Sequence, residues 1–228
     1  MPTVTLKSVC KTFGEGELAV NALTDVDLEI NAGGFICLSG PSGSGKTTLL
    51  NMVGGLDRPS SGEITVIDKR VDLMDKGKLA EMRLHSIGFI FQAYNLIPVL
   101  TARENVEFVI QLQGMSADMR HRKASDILNE VGLDGLEERK PAELSGGQQQ
   151  RVAVARALVS EPALILADEP TANLDSVTAQ TLMDLLRHLN DDRGITFLIA
   201  THDKLVMSHA RRLLQMQDGQ IINDIQQR

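Results

Sequence analysis

The sequence predicts an α/β fold: a mainly parallel sheet carrying a Gly-rich loop, with an antiparallel β flap in front and a helical insertion within it. Three observations predict it. The apolar run Phe35-Ile36-Cys37-Leu38 leads into Gly40-Pro41-Ser42-Gly43-Ser44-Gly45-Lys46-Thr47 and then Thr48-Leu49-Leu50, the strand, loop and helix order required by the phosphate-binding pattern G-x-x-x-x-G-K-[ST]. Further apolar runs at 87–91, 163–167 and 195–200 read as buried strands, each followed by polar residues (Gln92, Asp168-Glu169 and His202) at the edge where α/β proteins place ligand contacts. Between 95 and about 140 the apolar residues recur at helical spacing instead.

Length and composition bound the rest. A chain of 228 residues suits one large α/β domain with a helical insertion, and 43% hydrophobic with 23% charged residues is ordinary for a globular protein. The formal net charge of −7 argues against a general nucleic-acid surface, and 3% aromatic content without Trp argues against a base-stacking platform. No run of 18 apolar residues occurs and the start Met1-Pro2-Thr3-Val4-Thr5 lacks a signal peptide's features, so the expectation is a cytosolic protein. Cys10 and Cys37 have no metal-spaced companions and read as buried free thiols.

Taken in order, residues 3–9 and 24–30 alternate apolar with polar and read as half-exposed strands of the flap. Between them Phe13 reads equally as an exposed aromatic beside a turn or as a core residue. In the Gly-rich loop the glycines leave backbone N–H groups open to a phosphate at the positive end of the next helix, with Lys46 reaching the β and γ phosphates and Thr47 ligating magnesium. Arg58-Pro59-Ser60-Ser61-Gly62 reads as a turn, residues 63–67 as a strand and 76–84 as a short helix. Thr101-Ala102-Arg103-Glu104 is a capping box, and Ala124, Ile127, Leu128 and Val131 mark an apolar helix face. Leu144-Ser145-Gly146-Gly147-Gln148 opens a helix; it reads equally as an ordinary N-cap or as a second anion-facing helix entrance.

Asp168 and Glu169 follow an apolar strand, and two such carboxylates are costly to bury without a cation. With a phosphate loop upstream, magnesium is the natural partner of Asp168, held through water, and Glu169 is placed to orient or deprotonate an attacking water. A helix from about Ser176 to Asn190 carries Leu182, Leu185, Leu186 and Leu189 on one stripe and stops at Gly194; His202 then reads as either structural or active, and Asp218-Gly219 as a hairpin turn.

With these residues together, the chain resembles the nucleotide-binding subunit of ATP-binding cassette (ABC) transporters over essentially its whole length. The resemblance implies a P-loop NTPase (RecA-like) core forming one domain over 1–228, with a helical subdomain at about 95–160. Gly40 to Thr47 is similar to Walker A, Gln92 to the Q-loop, Leu144 to Gln148 to the signature, Leu164 to Asp168 to Walker B, Asn173-Leu174-Asp175 to the D-loop and His202 to the switch histidine. By resemblance Glu169, His202, Lys46 and Gln92 are catalytic, and Thr47, Gln92 and Asp168 surround Mg2+. ATP would lie on Phe13, Val20, Ser42, Gly43, Ser44, Gly45, Lys46, Thr47 and Thr48. A second copy, head to tail, would add Ser145, Gly146, Gly147 and Gln148, with Asp175 coupling the two sites.

Two positions depart from the family pattern: Phe13 stands where tyrosine is more frequent and Ala172 where many relatives have glycine. Phe91-Gln92, Asn95-Leu96-Ile97-Pro98, Leu100-Thr101 and Glu104-Asn105-Val106 resemble the MacB-like and lipoprotein-releasing group, which includes cell-division relatives. This implies ATP-driven dimer closure that moves a separate integral membrane permease for export, efflux or lipoprotein release, from the cytoplasmic side of the inner membrane. The alternatives are mechanotransmission in cell division, a cassette acting on nucleic acid, and a regulatory module. The acidic chain and the lack of sustained heptads over 93–143 count against nucleic acid, and the intact Asp168, Glu169 and His202 count against a module without catalysis.

Overall fold

A computed structural model describes residues 2–227. The chain begins with β1 (Pro2–Phe13), β2 (Val20–Asn31), β3 (Phe35–Ser39), α1 (Lys46–Val53), β4 (Ser61–Val66), β5 (Lys69–Arg70), α2 (Lys76–Ser86) and β6 (Ile87–Ile90). It continues with α3 (Ala102–Leu112), α4 (Ala117–Glu130), α5 (Gly146–Leu158), β7 (Leu164–Asp168), α6 (Ser176–Arg193), β8 (Thr196–Thr201), α7 (Lys204–His209), β9 (Arg212–Gln217) and β10 (Gln220–Gln226).

These strands form two sheets. One has four antiparallel strands in the order β2-β1-β4-β5; the other has six in the order β10-β9-β3-β8-β7-β6, parallel except for β10 at its edge. The period-2 alternation of strand side chains divides the larger sheet between two cores. Phe35, Ile165, Phe197 and Ile199 face the apolar sides of α3 to α6. Ile36, Leu38, Leu164, Leu166 and Leu198 face α1, α2 and the inner side of the small sheet. A sheet covered on both faces needs apolar residues at every strand position, which is why β3 and β8 read as unbroken apolar runs.

The topology makes a site. The segments leaving β3, β6, β7 and β8 exit the same edge of the parallel sheet, with β3 bonded to β8 and β8 to β7. The Gly-rich loop, Gln92, Asp168-Glu169 and His202 therefore converge although they are far apart in sequence. Helix boundaries reinforce the placement: the Thr101–Glu104 capping box forms at α3, and Gly194, at φ 65, ends α6. Asn105 is 1% exposed and stitches the preceding loop to α3, accepting from Ile97 N–H and donating to the carbonyls of Ile97, Leu100 and Thr101.

Several boundaries differ from the sequence expectation. β1 and β2 run past 9 and begin before 24, so Lys11, Thr12 and Phe13 belong to the ladder, where they pair with Leu23, Asn21 and Val20. β4 begins at Ser61 inside the expected turn, because β1 supplies a partner (Cys10 opposite Ser61) and Gly62, at φ 93, accommodates the irregular register against Ser8. β6 stops at Ile90, leaving Phe91 beyond the strand, and α6 extends to Arg193. Cys37 is buried as expected, whereas Cys10 is half-buried and its Sγ accepts from Asp25 N–H.

Candidate functional site

The Gly-rich loop is shaped by close approach. Gly45 takes φ +100 at the start of α1, and a Cβ there would lie 2.6 Å from the Ala22 carbonyl oxygen. A Cβ at Gly40 would lie 2.3 Å from the Met216 carbonyl oxygen. Lys46 is 8% exposed, and its Nζ donates to the loop carbonyls of Gly40 (2.7 Å) and Pro41 (2.9 Å). Those two bonds hold the ammonium inside the loop. Among the described residues the buried Ser44 hydroxyl has no hydrogen-bond partner.

At the neighbouring strand ends, Thr47 Oγ1 donates to Asp168 Oδ2 at 2.9 Å. Burial raises the Asp168 pKa and the charge of Glu169 adds to the rise, while the Thr47 hydroxyl opposes it. Glu169 sits on a left-handed backbone and is held by three contacts. Its backbone adopts φ +47, its N–H donates to Ala200 C=O at 2.9 Å, Thr201 Oγ1 donates to Oε2 at 2.8 Å, and His202 Nδ1 lies 2.7 Å from Oε1. A left-handed glutamate costs free energy, and the bonds on either side of it offset that cost. Thr201 is fully buried, and its oxygen also accepts from Asp203 N–H at 3.0 Å.

Val20, Ser42 to Thr48, Gln92, Asp168, Glu169 and His202 line one cavity of about 620 Å³. Asn21, Ala22 and Pro41 complete its wall. Phe13 is not among the lining residues: it pairs with Val20 across the ladder, is 46% exposed, and its ring lies 4.7 Å from Lys11 Nζ. Of its two sequence readings the structure realises the exposed aromatic.

Ser145, Gly146, Gly147, Gln148 and Asp175 also lie outside this cavity. Ser145 and Gln148 form a reciprocal capping box at α5, so the Gln148 side chain is spent on Ser145 N–H. Both glycines are closely approached by side chains: a Cβ at Gly146 would lie 3.0 Å from Tyr94 Oη and one at Gly147 would lie 2.5 Å from Thr178 Cγ2, so either substitution would displace a neighbour. Asp175 caps α6, accepting from Val177 N–H, Thr178 N–H and Thr178 Oγ1. The Thr178 hydroxyl and amide hold its pKa below the ordinary range. Asn173 Nδ2 donates to the Gln92 carbonyl at 2.8 Å, tying the segment before α6 to the one after β6.

Sequence reasoning passed over Thr201 and Arg156, and it named Asn173 only as part of the segment leading to Asp175. Thr201 carried a usable signal, a hydroxyl closing an apolar strand one residue before His202. Cys37 lies behind the site, where burial pushes its thiol up to about 12 and leaves it chemically inert.

The residues present fit a magnesium ion. Among the described residues no cluster of three His, Cys, Asp or Glu side chains is assembled for a metal. A hydroxyl, an amide and one carboxylate (Thr47, Gln92 and Asp168) are instead the sparse oxygen set suited to a cation that keeps water and phosphate oxygens.

Comparison with known proteins agrees with this geometry. The sequence profile described as ABC transporter matches residues 23–172. A macrolide export ATP-binding/permease protein MacB of Marinobacter nauticus is 45% identical over 223 residues, 98% of this chain but 34% of that protein. The chain thus spans about a third of the length of such MacB relatives. An uncharacterized ABC transporter ATP-binding protein, MJ0796 of Methanocaldococcus jannaschii, is 45% identical over 96% of this chain and 94% of its own length. The dimeric post-hydrolysis structure of the MJ0796 cassette bound to ADP and Pi superposes with a TM-score of 0.91 at 43% identity, covering 99% of both chains.

Proposed function

The chain belongs to the ABC transporter family, as an ATPase cassette, and from that premise we propose that two copies close head to tail on ATP and drive a membrane permease of the MacB-like group. The observation that carries the proposal is the single cavity in which the Gly-rich loop meets the Thr47–Asp168 pair and the Thr201–Glu169–His202 grip. Nothing in a plain nucleotide-binding module requires a carboxylate on a left-handed backbone with its hydrogen bonds aimed from two sides.

The chemistry is hydrolysis of ATP to ADP and phosphate by in-line attack of water on the γ phosphorus. Lys46 exchanges the carbonyls of Gly40 and Pro41 for β and γ phosphate oxygens, and Ser44 gains a partner for its hydroxyl. Glu169 accepts the proton of the attacking water, with Thr201 and His202 fixing the orientation of its carboxylate. Magnesium, held by Thr47, Gln92 and water on Asp168, would neutralise developing charge on the phosphates. Val20 flanks the base and ribose, with Phe13 beside it on the outer surface. Ser145, Gly146 and Gly147 of the second copy offer N–H groups to the γ phosphate from a helix N-terminus.

Among the described residues no helix is long and apolar enough to cross a membrane. The cassette passes its closing motion to the permease by contact. An apolar cleft of about 620 Å³, with Phe89, Phe91, Leu84 and Leu112 in its walls, adjoins the segment that carries Gln92 and offers the permease a seat. The reading places the cassette at the cytoplasmic face of the inner membrane, working in export, efflux or lipoprotein release.

Glu169→Gln tests it. Loss of a general base costs about 10²–10⁴ in rate, so turnover should fall by that order while ATP still binds and holds a stable dimer in size-exclusion chromatography. Near-normal phosphate release, or a protein that stays monomeric with ATP, would refute the proposal.

A further inference from the structure

We propose that Arg156 is a positioning residue: it clamps the segment after Gln92 onto the N-terminal glycines of its own helix and so sets the geometry of the second copy's half of the ATP site. The inference rests on the head-to-tail reading above and adds a residue that reading does not contain.

Tyr94 and Asn95 are consecutive non-glycine residues in the left-handed region, at φ 59 and 51. Both conformations cost free energy, so the turn persists only where its surroundings hold it. Arg156, two turns or more along α5 from its start, supplies the hold. Its Nη2 donates to Tyr94 C=O at 2.8 Å and its Nη1 to Asn95 C=O. The guanidinium is half-buried, and burial, with no carboxylate opposing it, is what draws its pKa down. Among the described residues a cation taken partly out of water and paired only with main-chain carbonyls is costly to keep for packing alone.

The result of the clamp is visible at the other end of the helix. The Tyr94 side chain is turned onto Gly146, with Oη 3.0 Å from where a Cβ would sit, and the Asn173 carbonyl is 3.8 Å from the same point. Asn173 in turn donates to Gln92 C=O. The helix is thus gripped twice by one segment, at Arg156 and at Gly146, which lie ten residues and roughly 15 Å apart along its axis. Two grips fix the rotation of α5 about its axis as well as its tilt. That rotation decides where the free N–H groups of Gly146 and Gly147 point. Arg156 and Asn95 also stand in the wall of the apolar cleft, so a segment entering the cleft touches the clamp directly.

The test uses the full chain as Arg156→Ala, Arg156→Lys, Tyr94→Ala and the Arg156→Ala/Tyr94→Ala double variant, each also on the Glu169→Gln background to trap dimers. Binding of a fluorescent ATP analogue to the monomer should stay within about threefold of the parent, because the clamp lies outside the phosphate cavity. ATP-dependent dimerisation should weaken, and kcat fall, by about tenfold or more with KM little changed. Arg156→Lys should recover part of the loss, and the double variant should be no worse than the poorer single one, since both act through one contact. Wild-type dimerisation and kcat in Arg156→Ala would overturn the proposal, as would losses that multiply in the double variant or that track loss of analogue binding. Should Arg156→Ala fail to fold, Arg156→Lys and Tyr94→Ala decide by the same readouts. A parent protein that neither dimerises nor hydrolyses ATP would instead overturn the reading on which the clamp rests.

Discussion

Thr201→Val separates holding the carboxylate proposed as general base, Glu169, from being it. Valine matches threonine in shape, and Thr201 is fully buried, so the substitution leaves no cavity and removes one hydroxyl. Two hydrogen bonds go with it: the 2.8 Å donation to Glu169 Oε2 and the 3.0 Å acceptance from Asp203 N–H. A hydrogen bond to a charged group is worth about 1.5–3 kcal/mol, and an amide left unpaired costs about 1–3 kcal/mol. The first loss acts on catalysis and the second on stability. Glu169 keeps its contact with His202 and its backbone bond to Ala200, so it stays in place with one fewer restraint. At about 1.36 kcal/mol per tenfold in rate, kcat should fall roughly 10- to 100-fold with KM for ATP nearly unchanged. The assay is steady-state phosphate release at saturating ATP, with Glu169→Gln alongside and thermal unfolding to match folded protein. A kcat within twofold of the parent would refute the role of Thr201, and a loss as deep as that of Glu169→Gln would show that the hydroxyl does more than orient.

Two further outcomes follow from charge. Because burial raises the Asp168 pKa, its folded form binds a proton more tightly than its unfolded form, and stability declines as pH rises from the unfolded value through the folded one. Nucleotide-free Asp168→Asn should therefore melt above the parent at neutral pH, with the gap closing on acidification, while magnesium-dependent hydrolysis is lost; a lower melting temperature at neutral pH would contradict this. Asp72 is the opposite case: Arg70, together with Ile64 N–H, holds its pKa below 3.8. Its contribution is present above that pH and lost as pH falls through the lower folded value. Asp72→Asn should cost about 1 kcal/mol at pH 7 in urea unfolding, a modest figure because Arg70 is 38% exposed, and the cost should vanish in acid. A pH-independent difference would assign the effect to something other than charge.

The amino-acid sequence by itself determined the pieces whose signals are local. The Gly40 to Thr47 loop, the unbroken apolar strands, the Thr101 capping box and the Gly194 stop each depend on residues within a few positions of one another, and all form, the strand ends shifted by about a residue. It also marked Gln92, Asp168, Glu169 and His202 as strand-end polar residues, and the parallel order of the sheet turns that shared position into one cavity. Tertiary structure decided what depends on partners distant in sequence. β4 starts early because β1 offers it a ladder, and Phe13 stands beside the cavity because the β1–β2 register extends to Val20. The left-handed turns at Glu169 and at Tyr94-Asn95 run against local preference, and they persist through bonds from residues about 30 and about 60 positions away. No sequence window contains both ends of such a bond, so the grip on the Glu169 carboxylate and the contacts of Arg156 with the Tyr94-Asn95 turn became legible only when the chain was folded.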